Sequence, residues 1–252
     1  MTAENPNIGD GFSACCRVLF GREIGELAEF KPYLAEMVDR PMAAKSAISG
    51  KEIHLSRQHY AKTAKFASLD EIAASNEAIS INEIKDIDSV LSALPEKFHY
   101  TANKNLGQCI GVEESDACND SADVLSSLNV LSSKQVAYSN GVRASEAIFG
   151  CMLCGEVSHS VRSQMAFYSR RLFESYMSMK CSDLAYCFNM RASSSCMFCF
   201  NQASAMHCIG NLKLGKEKYA QLRGKLMGEA ALLLSSRKKL PSLFEAIGGG
   251  VA

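Results

Sequence analysis

The chain has 252 residues, with 27 Lys+Arg against 27 Asp+Glu, so its formal net charge is zero. That balance excludes a surface built wholly for nucleic acid or anionic membrane and leaves only local patches open. A hydrophobic fraction of 47% with 21% charged residues excludes wholesale disorder, and the length allows one large domain or two small ones around a sizeable core.

From the amino terminus, Met1 to Phe12 carries no basic region and no long apolar run, so no secretory signal is expected. No stretch reaches the roughly 18 apolar residues of a membrane span, and an intracellular setting follows as the expectation. Residues 23–38 read as helical up to Met37, with Lys31-Pro32 interrupting the pattern. Ser49-Gly50 predicts a turn before a short strand at Glu52 to Leu55. Ser68 and Glu71 form a capping-box pattern ahead of Ile72, and Asn82 can cap a helix from Glu83 to Leu94 that Pro95 would end. These elements make residues 1–102 a mixed α/β cap without a glycine-rich phosphate loop.

From Cys109 the composition becomes periodic. Stepping by six from Cys109 to Ala205 meets Ser or Cys at fifteen of seventeen positions, and stepping by six from Val112 to Cys208 meets an apolar residue or Cys at fourteen of seventeen. The unit is [Ser/Cys]-x-x-[apolar]-x-x. A period of six suits neither an amphipathic helix nor a long flat strand. It suits a parallel β-solenoid whose small and apolar side chains alternate in a narrow interior. Ser fits the crowded inward positions because it is small and its hydroxyl can bond the neighbouring backbone. Cys187-Phe188-Asn189 recurs as Cys199-Phe200-Asn201, which favours two hexads in each coil, whereas the eighteen residues between Tyr168 and Tyr186 would suit three. The solenoid is expected over 103–211.

Eleven cysteines in a reducing compartment first suggest metal or redox chemistry. Zinc or an iron–sulfur cluster would find its best ligands in Cys187, Cys196, Cys199 and Cys208. Phase argues otherwise: all nine cysteines after residue 100 fall on the two inward series. The C-x-x-C spacings are then by-products of a three-residue interval, and the thiols serve as small core side chains, so no cofactor is expected.

Lys213 to Arg237 reads as a helix with Leu214, Leu222, Leu226, Ala230 and Leu233 near one face, completing a helical cap and tail over 212–252 that ends in Gly248-Gly249-Gly250. Its eight basic residues through Lys239 stand against Glu217 and Glu229. Nucleic acid could be met only there, and a solvated helix face is the plainer reading.

No catalytic set emerges. His159 and His207 lie off the inward series, and Asp116, Asp120 and Asp123 cluster without a repeating acidic ladder. Hexapeptide acyltransferases also repeat every six residues, but their small and apolar positions are four apart in the forward direction, against three here. The likeness is one of solenoid construction. A closer one is carried by Ala137-Tyr138-Ser139-Asn140, Cys187-Phe188-Asn189, Cys199-Phe200-Asn201, Cys208-Ile209-Gly210-Asn211 and the Lys-rich run from Leu214 to Tyr219. Over residues 100–220 the chain resembles Ser/Cys/Asn-rich β-solenoid repeat proteins encoded by tailed phages, archaea and small-genome bacteria. That resemblance implies an architecture and no reaction, with assembly in a virion or the cytoplasm as its setting. The expected function is a non-enzymatic structural or interaction module that binds protein partners. Aromatic residues outside the inward series are the candidate contacts, chiefly Tyr168, Phe173, Tyr186, Phe188, Phe198 and Phe200, with Tyr138 and Phe167 beside them. The alternatives are a thiol metal or redox protein and, behind it, an enzyme with a groove on the solenoid flank.

Overall fold

The computed structural model describes residues 6–56, 59–75 and 78–248. Its centre is a parallel β-solenoid of about eight turns, which at about 4.8 Å per coil is about 38 Å long. The strands pair at an offset of twelve: Val130, Val142, Cys154 and Ala166 stand in one column, and Ser175 and Cys187 in another. Two hexads therefore make one coil.

Each coil consists of four triplets. The first residue of a triplet points inward, the second outward, and the third adopts a left-handed backbone conformation. From Gly111 to Gly210 every third residue has positive φ, and at the non-glycine positions φ lies between 46° and 59°. Each such residue turns the chain at a cost of roughly 1–2 kcal/mol where the side chain is not glycine. None of these positions carries Val, Ile, Thr or Pro, the residues that tolerate this conformation least. Ala192 is exposed with φ 46°. Ala192→Gly is therefore expected to raise stability by about 1 kcal/mol and Ala192→Val to lower it by at least as much. Urea midpoints that leave the two variants equal would contradict the left-handed corner.

The lumen explains the composition. Every third residue from Ser115 to Cys199 is buried. Two of the four inward columns are mostly apolar and two are mostly Ser or Cys, because the latter carry a hydrogen-bond relay. The Ser127 N–H donates to Ser115 Oγ at 3.0 Å, Ser139 N–H to Ser127 Oγ at 3.1 Å, and Cys151 N–H to Ser139 Oγ at 3.1 Å. In return the Ser127 and Ser139 hydroxyls donate to the carbonyls of Leu125 and Ala137, at 2.8 and 2.9 Å. Amides that would otherwise be buried without a partner, at roughly 1–3 kcal/mol each, are satisfied by side chains of the preceding coil. Cysteine can replace serine, as where Ser163 N–H meets Cys151 Sγ at 3.4 Å.

Helix α1 (Pro6–Phe20) lies along one flank. Its buried positions Ile8, Phe12, Cys15, Cys16, Leu19 and Phe20 pack on an outer column that is apolar at every twelfth residue: Leu125, Ala137, Phe149, Val161, Phe173, Ala185 and Met197. A 3-10 turn at Leu27–Phe30 and helix α2 (Lys31–Leu34) continue this cover. Gly150 is needed here, since a Cβ on it would stand 2.7 Å from the Leu34 carbonyl oxygen. The expected helix over 23–38 is thus shorter and broken, and the longer helix lies before it.

Residues 42–102 sit at the first-coil end. Strands β1 (Met42–Lys45) and β2 (Glu52–Leu55) form an antiparallel pair, and β3 (Phe66–Ser68) runs parallel to β4 (Tyr100–Ala102). Helix α3 (Leu69–Ser75) begins at the expected capping pattern, with Ser68 N–H donating to Glu71 Oε2 at 2.9 Å. Helix α4 (Ile87–Lys97) starts later than Asn82 predicts: Asp86 caps it, and Pro95 lies within its last turns instead of ending it. Asp86 wins because its carboxylate accepts the Ser89 N–H at 2.8 Å. The unit is tied on by Asn103, which donates to the His54 carbonyl at 3.0 Å, and by Lys104, whose N–H reaches Asp116 Oδ1 at 2.7 Å.

At the far end the chain turns at Gly210-Asn211, and Leu212–Lys213 pairs antiparallel with the last solenoid strand. Asn211 closes the exposed edge by bonding both the N–H and the carbonyl of Phe200, at 3.0 and 3.1 Å. Helix α5 (Lys216–Arg237) then packs beside α1, with Met227, Ala231 and Leu234 in the same flank core. Helix α6 (Leu243–Ala246) follows. Gly249 and Gly250 of the expected tail lie outside the described residues. Among the described residues no helix is long and apolar enough to cross a membrane.

Candidate interaction surfaces

Inside the solenoid, every cysteine after residue 100 points into the lumen, and only Cys109, in the first coil, is not fully buried. Cys187 and Cys199 are stacked one coil apart in one column, and Cys196 and Cys208 are register partners in the next. Hydrogen bonding to Cys199 and burial push the Cys187 and Cys196 thiols above the ordinary range. The neighbouring Cys187 and Cys196 thiols, with the Asn211 N–H at 3.4 Å from its sulfur, hold Cys199 below that range. Burial first, and then the neighbouring Cys109, push Cys118 up to about 12. Among the described residues no group of three or more His, Cys, Asp or Glu side chains is placed to hold a metal ion.

A thiol-reactive dye should therefore find one fast-reacting thiol, Cys109, in the folded protein, and all eleven after unfolding. Several fast thiols in the native state, or fewer than eleven in denaturant, would contradict a sealed lumen of free thiols.

The acidic cluster has structural partners. Asp116 is buried and paired with Lys104. Asp120 Oδ1 accepts the Gln108 N–H at 3.0 Å, and Asp123 accepts from Asn7 at 3.2 Å. An open groove of about 780 Å³ runs along one solenoid edge past Asp120, Lys134, Glu146 and Glu156. Its Lys134 and Glu146 are spent on each other at 2.8 Å. His207 lies outside it, against the Tyr219 ring at 5.4 Å.

The six aromatic candidates do not form one surface. Phe173 is not a free contact at all: it is sealed against Phe20, edge to face at 5.0 Å, because it belongs to the outer column that α1 covers. Tyr186 beside it is half-buried, stacked on Phe198 at 5.4 Å, and its hydroxyl donates to the Pro241 carbonyl at 2.8 Å. Phe188 and Phe200 are register partners on the next face, with Phe200 exposed. Tyr168 is exposed on a third face.

A polar cluster buried outside the lumen also belongs to the helix-covered flank. Arg162 and Glu174, at left-handed positions one coil apart, form an ion pair with side chains 2% and 0% exposed. Glu174 also accepts from the Tyr33 hydroxyl at 3.0 Å and from Tyr176 at 2.7 Å. Arg162 donates to the Tyr33 carbonyl and to Glu36, and its guanidinium lies 4.0 Å from the Tyr33 ring centre. Burial pushes the Glu174 carboxyl up, with Arg162 foremost among the groups pulling it back. Burial works against the Arg162 charge, and Glu174 more than restores it. This network pins the amino-terminal segment to the solenoid and has no open approach for a substrate.

One surface was missed in the sequence. Leu153, Met165 and Met177 stand twelve apart at left-handed positions. Across the neighbouring lumen column, Phe167 and Met179 stand twelve apart, and the Phe167 ring leans over Gly155, 3.1 Å from where a Cβ would be. These five apolar side chains, on three consecutive coils, are each 38–47% exposed. Arg143 and Arg191 bracket the strip, as register partners of Gly155 and Met179. Apolar identity at a spacing of twelve is the signal that would have found it. Compared with known proteins, the chain matches no family model and no curated protein.

Proposed function

We propose that the protein is a non-enzymatic interaction module, a stiff solenoid that presents the strip of Leu153, Met165, Phe167, Met177 and Met179 to a partner within a larger assembly. The observation that carries this reading is the choice of residue at the corners. Glycine or asparagine would turn the chain there more cheaply, whereas Leu153, Met165 and Met177 leave three long apolar side chains in water. A contiguous exposed apolar patch is the usual mark of a contact surface, and methionine adapts readily to a partner. The resemblance of the repeat to proteins of tailed phages, archaea and small-genome bacteria supports a virion or another large prokaryotic complex as the setting.

The test is Met165→Asn/Met177→Asn, which replaces the strip with a residue that accepts the left-handed backbone. Gentle purification from the native source should find the wild type in a particle larger than its own 27.4 kDa. The double variant should leave that particle without any fall in its melting temperature. A variant that stays in the particle as fully as the wild type would overturn the reading.

A further inference from the structure

A second apolar surface is left exposed among the described residues. Helix α4 has no buried residue, and its Ile87, Leu91 and Leu94, with Phe98 just beyond, recur along one face and are 39–70% exposed. Ile81 and Ile84 ahead of it are exposed as well. Most marginal helices are held by burial of such a face, yet among the described residues only Tyr100, edge-on to Phe98 at 5.0 Å, touches an aromatic ring of this stripe and the face stays exposed.

We infer that α4 of one copy docks on the Leu153/Met165/Phe167/Met177/Met179 strip of a second copy, so that the protein self-associates. The inference rests on the strip being a contact surface, as proposed above, and adds its occupant. Three features select a copy of this chain. The first is the mode of packing: on its other apolar flank the solenoid already takes α1 and α5 along an outer column of the same twelve-residue spacing.

The second is length. The apolar stripe from Ile87 to Phe98 spans about 16 Å at 1.5 Å per residue and fits between Arg143 and Arg191, about 19 Å apart over four coil steps, of which the apolar strip itself covers the middle two, about 10 Å. The third is charge. Exposed Arg143, Lys180 and Arg191 edge the strip, with Glu156 the opposing charge. Glu83, Asp86, Asp88 and Glu96 flank α4, against Lys85 and Lys97. An acidic helix thus meets a basic frame, which favours encounter and fixes register. The contact is heterologous: each copy offers one helix and one strip.

A single helix on five side chains is a small interface, so association is expected to be weak and to need a concentrated sample. Sedimentation velocity of the full chain across a concentration series reads it. The wild type should grow beyond the monomer. Met165→Asn/Met177→Asn, which loses the strip, and Ile87→Gln/Leu91→Gln, which loses the helix face at exposed positions, should each remain monomeric with no fall in melting temperature. Mixed together, the two variants should form a one-to-one dimer and nothing larger, because the first still carries the helix and the second the strip.

A wild type that stays monomeric throughout, a double variant that associates like the wild type, or a mixture that stays monomeric would overturn the inference. None of these results touches the wider reading, which falls only if the strip variant keeps its place in the native particle.

Discussion

Glu174→Ala is expected to destabilise the protein by about 3–5 kcal/mol, the range found when one partner of a buried ion pair is removed. The loss comes from what remains. Arg162, 2% exposed, would keep its charge with only the Tyr33 carbonyl and the half-exposed Glu36 to receive it. The Tyr33 hydroxyl would lose its carboxylate acceptor, and Tyr176 would keep only the weak acceptor Met37 Sδ at 3.6 Å. Arg162→Met/Glu174→Leu should be less damaging than Glu174→Ala alone, because removing both charges leaves no buried ion unpaired. Urea unfolding of the two variants and the wild type checks both statements. A loss below about 1 kcal/mol for Glu174→Ala, typical of an exposed pair, would show that the amino-terminal segment does not bury this pair.

Phe12→Ala should cost a similar amount, about 3–5 kcal/mol, as a buried aromatic ring exchanged for a methyl group. Phe12 is 1% exposed and lies between Phe30, at 5.5 Å, and Phe149, at 5.2 Å. It therefore joins α1, the following 3-10 turn and the solenoid wall in one cluster. Unfolding should remain a single transition moved to lower denaturant, since helix and wall share that core. A separate early transition, or a change under about 1 kcal/mol, would show the helix to be an appendage.

The interior was legible in the sequence because it leaves no choice. A lumen four side chains wide admits only small or compact apolar residues, and the alternation from Cys109 to Cys208 records that limit directly. Coil size was harder to read for the same reason: the two Ser/Cys columns are alike, so the lumen repeats every six residues while the coil repeats every twelve. Only the outer columns carry the longer period, as in Leu125, Ala137, Phe149, Val161 and Phe173.

The aromatic candidates failed as a set because outside the lumen is not the same as outside the molecule. One face of four is roofed by helices, and Phe173 lies beneath them. Helix α1 itself was hidden by Pro6, Gly9 and Gly11, which weaken its propensity. Its spacing of Ile8, Phe12, Cys15 and Leu19 was nevertheless that of a buried helix face. The left-handed corners also left a mark, in the absence of β-branched residues from every third position.

The twelve-residue coil decides which side chains share a face, and with it every surface described above. Ser182 and Ser194 are register partners on adjacent coils, whereas Phe188, six residues from Ser182, lies half a coil away. In a Cys109→Ser background, Ser182→Cys/Ser194→Cys brings two Cα atoms to about 4.8 Å, inside the range a disulfide bridges. Mild oxidation followed by alkylation and intact-mass measurement should show that pair closed and Ser182→Cys/Phe188→Cys still open. Closure of the second pair with the first left open would mean a coil of six, and the placement of helices, strip and lumen would be wrong.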